Sequence, residues 1–173
     1  MYGARDIAES FRTVRKNTIQ IADEISADKY GFRAAEGVKS VGELLAHIAV
    51  SSDWQIHVHQ QRISSIDFSF FAGRAPQVAA EEAALQTKEQ ILDALKTRGE
   101  AFASMAAGLT PEILAEVVAF APPMQPSQKT RFEMLLGVKE HEMHHRGQLM
   151  LIERMLGIVP HLTRRRQAVV AAR

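Results

Sequence analysis

Apolar residues recur at steps of three and four positions in four long segments, and this helical period is the strongest constraint on the fold. The segments cover approximately residues 5–26, 40–58, 81–107 and 129–156. No convincing run alternates apolar and polar residues as a half-buried strand would. The sequence therefore predicts an all-α protein, a four-helix bundle in which each helix buries one face.

Local signals mark several helix ends. Ser40 is followed three positions later by Glu43, the spacing of a capping box, which predicts that the second helix begins near Ser40. Gly108 and Gly157 are typical helix terminators. Thr110 followed by proline predicts a short extra helix before the fourth long one.

Two regions fall outside the helical pattern. Residues 63–79 combine serines and phenylalanines with Gly73 and Pro76, and we expect a long loop between helices 2 and 3 that packs over the bundle or lines a pocket. The arginines at 164–166 predict a solvated basic tail. The expected organisation is one helical domain over residues 1–160 and a C-terminal tail over 161–173.

Histidines occupy positions on the buried stripes where an apolar residue is expected. His141 and His145 are four residues apart on the fourth helix, so both imidazoles can reach one ion. His47 lies on the stripe of the second helix, and a bundle can bring it level with this pair. Three imidazoles from two helices are a complete protein ligand set for a catalytic ion such as zinc.

An alternative assigns these histidines to a polar core layer, where carboxylates or carbonyls would satisfy them. Pairs at this spacing are common, so His141 and His145 alone are weak evidence for metal, and His47 shifts the balance towards it. The pattern also leaves open whether His141 or Glu142 faces the core. His144 shares a helix side with His141 but falls off the stripe, and we expect it to be exposed.

Other polar and aromatic residues receive weaker assignments. Glu142 and Gln148 could orient a ligand imidazole, although a solvated position is the simpler expectation for Glu142. His57, His59 and His161 are expected at the surface without a role. Some aromatic residues could wall a pocket above the metal, although core packing is the commoner use of such side chains: Trp54, Phe68, Phe70 and Phe71.

Composition excludes several classes of function. The 173 residues carry a net charge of +1, which gives no reason to expect nucleic acid or a membrane as partner. The chain has no cysteine, so any metal must be held by nitrogen and oxygen ligands. Charged residues interrupt residues 1–24, which resemble neither a secretory signal nor a membrane span. We therefore expect a cytoplasmic protein.

Three segments carry a resemblance to a known family: SVGELLAHIA at 40–49, TRFEMLL at 130–136 and HEMHHRGQL at 141–149. In these segments the chain resembles the DinB-like family of metal-binding four-helix proteins, which includes the bacillithiol and mycothiol transferases. The resemblance implies that His47, His141 and His145 form a three-histidine metal site. It also implies zinc or nickel as the ion and a homodimer as the assembly.

Two functions follow as hypotheses. In the first, the chain is a metal-dependent enzyme that activates water or a thiol, and is therefore a hydrolase or a thiol transferase. Its substrate would be a small molecule, and a transferase would also use a low-molecular-weight thiol. In the second, it is a non-catalytic dimeric bundle that binds metal or a small ligand during stress, and the metal contributes to folding. The sequence names neither the substrate nor the reaction.

Overall fold

Four long helical segments form the bundle, as predicted. The computed structural model describes residues 2–172. Helix α1 spans Ala4–Glu24 and packs along α5 (Lys88–Ala107) and α7 (Arg131–Met155). Helix α2 (Val41–Val50) packs against α5 and α7 and continues after a short turn into α3 (Asp53–Gln60). The all-α bundle expected from the sequence is therefore confirmed.

The predicted start of the second helix is also confirmed. The Ser40 hydroxyl accepts a hydrogen bond from the Glu43 backbone N–H, and the Glu43 carboxylate accepts one from the Ser40 N–H at 2.8 Å. Equivalent capping boxes begin α5 at Thr87 and α7 at Thr130. These reciprocal bonds satisfy N–H groups that a helix start leaves without an intrahelical partner.

The prediction of a loop over residues 63–79 is wrong for most of that segment. Helix α4 spans Phe68–Ala84, and the Asp67 carboxylate caps it by accepting a hydrogen bond from the Phe70 N–H. Pro76 lies inside this helix. None of the helix residues is fully buried, so the sequence shows no apolar stripe that would indicate a helix here. A break at 85–87 separates α4 from α5, where one helix over 81–107 had been expected.

The C-terminal tail is a helix, α8 (His161–Ala171); Arg173 lies outside the described residues. The Arg164 guanidinium donates to the Glu24 carboxylate at 2.6 Å, and His161 is 1% exposed with its Nε2 3.2 Å from the Asn17 amide oxygen. The arginines at 164–166 are exposed on this helix, in line with the expected basic tail. The surface position expected for His161 was wrong, because Asn17 on α1 provides a partner for it.

A small sheet escaped the sequence analysis. Strand β1 (Ser65–Ile66) pairs in parallel with β2 (Val117–Phe120), which pairs antiparallel with β3 (Gln128–Thr130). Strands of two to four residues are too short to show a period of two. The predicted short helix precedes β2 as α6 (Pro111–Ala115), and the sheet leads directly into α7.

The core has two large apolar clusters separated by a charged layer, and a smaller third cluster. One cluster surrounds Phe11 and Phe102 near the start of α1, and the other surrounds Ile25 and Leu95 near its end. Between them Arg15 and Glu142, 4% and 1% exposed, form an ion pair with the guanidinium Nε 2.9 Å from the carboxylate. Glu142 therefore takes the core-facing position, and the expectation that it is solvated was wrong.

The Arg15 guanidinium connects four helices. Besides Glu142 on α7, it donates from Nη1 to the Leu95 carbonyl on α5 at 2.7 Å and from Nη2 to the Ile48 carbonyl on α2 at 3.3 Å. Gly99 makes room for it, since a Cβ at that position would lie 2.8 Å from Nη1. Every helix of the bundle thus contacts one charged group.

We predict that breaking this pair destabilises the bundle strongly. Arg15→Met or Glu142→Leu alone should lower the free energy of unfolding by about 3–5 kcal/mol, because each leaves an uncompensated buried charge. The double variant should recover part of that loss. Urea denaturation measures the unfolding free energy of all three variants. Arg12→Met is the control, because the exposed ion pair between Arg12 and Glu100 also joins α1 to α5. That pair should contribute at most about 1 kcal/mol. Equal losses for Arg15→Met and Arg12→Met would contradict the prediction.

A second prediction concerns Glu153, which is fully buried on α7 and whose carboxyl oxygens have no hydrogen-bond partner among residues 2–172. Burial, together with nearby Glu24, raises its pKa from 4.5 to about 7. The folded state therefore holds the Glu153 proton more tightly than the unfolded state does. The stability that this proton contributes is fully present below pH 4.5 and is lost as the pH rises through 7.

Glu153→Gln should accordingly flatten the pH dependence. The difference in unfolding free energy between about pH 5 and pH 8 should shrink by on the order of 2–3 kcal/mol, following the free energy of one pKa unit. Glu140→Gln, at an exposed position on the same helix, should leave the difference unchanged. An identical pH profile for the wild type and Glu153→Gln would rule out this role for Glu153.

Candidate functional site

The structure brings together the three histidines singled out from the sequence. His47 lies near the end of α2, and His141 and His145 lie one turn apart in the middle of α7. The Nε2 atom of His141 is 3.3 Å from that of His47 and 3.1 Å from that of His145. Across residues 2–172, this is the one group of three possible metal-ligating side chains whose donor atoms lie within 4.8 Å of one another.

These distances fit a single metal ion. Zinc–nitrogen bonds of about 2.0–2.1 Å in tetrahedral geometry place two ligand nitrogens about 3.3 Å apart. All three imidazoles are half-buried and are contributed by long, packed helices. The group could therefore hold one metal ion and leave a coordination position for a further ligand.

The outer nitrogens of two imidazoles are fixed by hydrogen bonds. His47 Nδ1 lies 2.8 Å from the Glu82 carboxylate, and His145 Nδ1 lies 2.8 Å from the Gln148 amide oxygen. Both partners are acceptors, so each Nδ1 donates its proton, and Nε2 is the nitrogen left to offer a lone pair towards the centre of the group. Metal-bound histidines are usually oriented in this way.

Burial also keeps the pair on α7 neutral. Desolvation, reinforced by the neighbouring imidazoles, lowers the pKa of His141 to about 4. Desolvation likewise lowers the pKa of His145, against the opposing effect of the hydrogen bond that His145 donates to Gln148. Neutral imidazoles are the form that binds a metal, so both rings are available as ligands at neutral pH.

The remaining histidines are outside the three-histidine group, although the His144 ring packs edge-on against His145 with centroids 5.1 Å apart. His144 is exposed, as expected, and His57 is exposed and stacks on the Phe70 ring. His59 is 2% exposed, contrary to its expected surface position. Its Nε2 lies 3.1 Å from the Gln55 amide oxygen, and burial with nearby Arg131 lowers its pKa to about 4.

Comparison with known proteins gives a family. The sequence model of the DinB superfamily matches residues 10–149, which is most of the chain. The chain belongs to the DinB superfamily. The expected resemblance is thus confirmed at the level of the family.

Two solved DinB-like proteins share the fold. One, from Bacillus subtilis, is 26% identical with a TM-score of 0.65, covering 88% of this chain and 92% of that chain. Another, from Bacillus cereus, is 16% identical with a TM-score of 0.69, covering 92% of this chain and 97% of that chain. Among curated proteins, none matches.

Across residues 2–172 of this DinB-superfamily chain, no helix has the length and apolar character needed to cross a membrane.

A cavity of about 650 Å³ opens beside the histidine group, with His47 and His141 in its wall. Helix α4 forms one side of it, and the sheet with the segment after β2 contributes another. Trp54 and Phe71 line the cavity, with their ring centroids 5.3 Å apart. Further apolar lining residues are Val78, Phe120, Met124, Met134 and Val138.

The aromatic residues serve both purposes considered from the sequence. Trp54, Phe70 and Phe71 pack against a small apolar cluster around Val58 and Met134, and Trp54 and Phe71 also face the cavity. Phe68 does neither, since it is 69% exposed. The choice between core and pocket wall was therefore not exclusive.

Glu82 is the functional residue that sequence reasoning missed. It lies on α4, receives the His47 bond and also accepts a hydrogen bond from Lys39 at 2.9 Å. Although burial opposes the shift, these two partners hold its pKa below the ordinary value. No local signal distinguishes Glu82 from its neighbour Glu81, because its role depends on where α4 packs.

Proposed function

We propose that this chain is a metal-dependent enzyme in which His47, His141 and His145 hold one divalent ion, zinc or nickel. The observation that carries the proposal is the convergence of three imidazole nitrogens beside a substrate-sized cavity, with His47 and His141 in the cavity wall. Ligand pockets commonly measure about 300–1,000 Å³, and this one lies within that range. A structural metal site would not require such a space beside its ligands.

Each element of the site has a task in this scheme. When bound, the ion would lower the pKa of a coordinated water or thiol and so supply a nucleophile at neutral pH. Glu82 and Gln148 hold the ligand rings in the tautomer that offers Nε2. Trp54 and Phe71 present an apolar wall that limits access of bulk water to the reacting groups.

The proposed reaction is thiol transfer or hydrolysis. The chain contains no cysteine, so in the transfer reaction the sulfur comes from a small thiol substrate. That sulfur forms a bond to an electrophilic carbon as the leaving group departs with the bonding electron pair. In hydrolysis, a water oxygen forms the bond instead. The resemblance to thiol-transferring relatives supports the first version.

Assembly and location complete the proposal. The resemblance supports a homodimer, and exposed apolar side chains on the outer side of α7 offer surface for one: Met143, Leu151 and Met155. Light scattering measures the mass directly. We further propose a cytoplasmic location, which fractionation of the producing cells would test.

Metal content is the first prediction of this function. Protein purified without an affinity tag should contain close to one equivalent of zinc or nickel by elemental analysis, and His141→Ala should lose it because two imidazoles remain. His144→Ala removes an exposed histidine of the same helix and should keep the metal. Only a small fraction of an equivalent in the wild type would overturn the proposal in favour of a metal-free polar core.

Activity separates the enzyme from a non-catalytic bundle. A panel of low-molecular-weight thiols and electrophiles, together with ester and amide substrates, should reveal turnover that His141→Ala abolishes. Fully metal-loaded protein with no turnover, combined with a large loss of stability on chelation, would identify the metal as structural.

Glu82 gives a prediction of its own. Glu82→Ala should weaken metal binding by about 10–100-fold, the usual effect of removing a carboxylate that orients a ligand histidine. Competition with a chromophoric chelator measures the affinity. Glu81→Ala is the matched control, because that neighbouring carboxylate accepts from Arg98 and not from an imidazole. Equal affinities for the two variants would exclude an orienting role for Glu82.

A further inference from the structure

The acidic side chains in the cavity wall are already paired. Asp53 and Glu81 both accept hydrogen bonds from the Arg98 guanidinium, the latter at 2.6 Å. Glu82 accepts from Lys39 and His47. These three carboxylates share the two positive charges of Arg98 and Lys39, so part of the negative charge on this wall remains.

The basic side chains in the same wall are not paired. Arg74 and Lys129 line the cavity, and no ion pair found within residues 2–172 includes either of them. The Nε of Arg74 is buried and has no hydrogen-bond partner there. Its guanidinium carbon lies 5.7 Å from the centroid of the Phe70 ring, an aromatic contact that helps to hold the guanidinium in place.

Arg74 thus brings to the cavity wall a positive charge that no carboxylate within residues 2–172 pairs with, and an incoming anion would supply that partner. The planar fork of arginine matches the two oxygens of a carboxylate, and Lys129 adds a second positive charge. The acidic groups in the same wall would repel a doubly charged phosphate more strongly than a singly charged carboxylate. These charges favour an organic carboxylate.

The position of Arg74 sets the length of such a ligand. Arg74 precedes Glu82 by eight residues on α4, which corresponds to about 12 Å along a helix axis. Glu82 contacts His47, so the backbone of Arg74 lies about two turns of α4 beyond the residue that meets the histidine group. Val78 lies between Arg74 and Glu82 on α4, and Met134 and Val138 precede His141 on α7; all three are apolar lining residues of the cavity.

We propose that the cavity binds an elongated amphipathic carboxylate, with its acid group on Arg74, its apolar body along Val78 and Val138, and its reacting group beside His47 and His141. This assignment rests on the proposed function, because it names the substrate class of that same site. Arg74 is then the residue that selects the substrate.

Trp54 makes the test direct. It is the single tryptophan of the chain and lines the cavity, so its fluorescence reports on ligand there. We expect 4-phenylbutanoate, titrated into protein kept metal-free with a chelator, to produce a saturable fluorescence change. The neutral analogue 4-phenylbutan-1-ol should bind about tenfold or more weakly, since it lacks the charge that pairs with Arg74.

Variants assign the effect to Arg74. Arg74→Met should weaken phenylbutanoate binding by about tenfold and leave binding of the alcohol nearly unchanged. Arg165→Met is the matched control, because it removes the same charge from an exposed position on α8 and should change neither affinity. Circular dichroism checks that both variants are folded. If Arg74→Met does not fold, Arg74→Lys replaces it and should still weaken phenylbutanoate binding, because it loses the fork.

The proposal would be overturned by equal affinity for the acid and the alcohol, or by unchanged binding of the acid to a folded Arg74 variant. It would also be overturned if the fluorescence showed no saturable change up to about 10 mM phenylbutanoate, the range in which a ligand of this size should bind. Because the titration uses metal-free protein, its outcome is independent of the metal chemistry. Absence of metal or turnover would refute the proposed function and leave carboxylate binding intact, whereas failure of this titration would leave the metal site standing.

Discussion

The buried guanidinium of Arg15 is the interaction on which the rest of the structure depends. It binds a carboxylate of α7 and backbone carbonyls of α5 and α2, between the two apolar clusters of the core. Two of its partners are the immediate neighbours of candidate ligands, since Ile48 follows His47 and Glu142 follows His141. The charged layer therefore sets the relative positions of the two helices that carry the histidines. Gly99 is small for the same reason, because any side chain there would collide with Arg15.

The sequence predicts the parts of this molecule whose signals are local. Four amphipathic stripes, the Ser40 capping box and the pairing of His141 with His145 follow from spacing along one helix. The approach of His47 to that pair follows from its place on the buried stripe of a second helix. Helix α4 was missed because its side chains are only half covered and Pro76 indicates a break. The three short strands and α8 were missed because tertiary contacts stabilise them where periodicity is weak.

Buried polar residues show why the remainder could not be predicted. Glu142 pairs with a residue 127 positions away, and His161 bonds one 144 positions away. A polar side chain is stable in the interior only when it meets a partner, and nothing near either residue in the sequence indicates that partner. The same reasoning applies to Glu82, whose contact with His47 exists only because α4 folds back over α2.

That contact gives α4 a double task. One of its faces walls the cavity, and one of its carboxylates holds a ring of the histidine group. An outward shift of this helix would enlarge the cavity and break the hydrogen bond from His47 Nδ1 in the same movement. The space in the cavity and the orientation of one candidate ligand ring are therefore coupled, and any molecule that displaces α4 outward would also free the His47 ring.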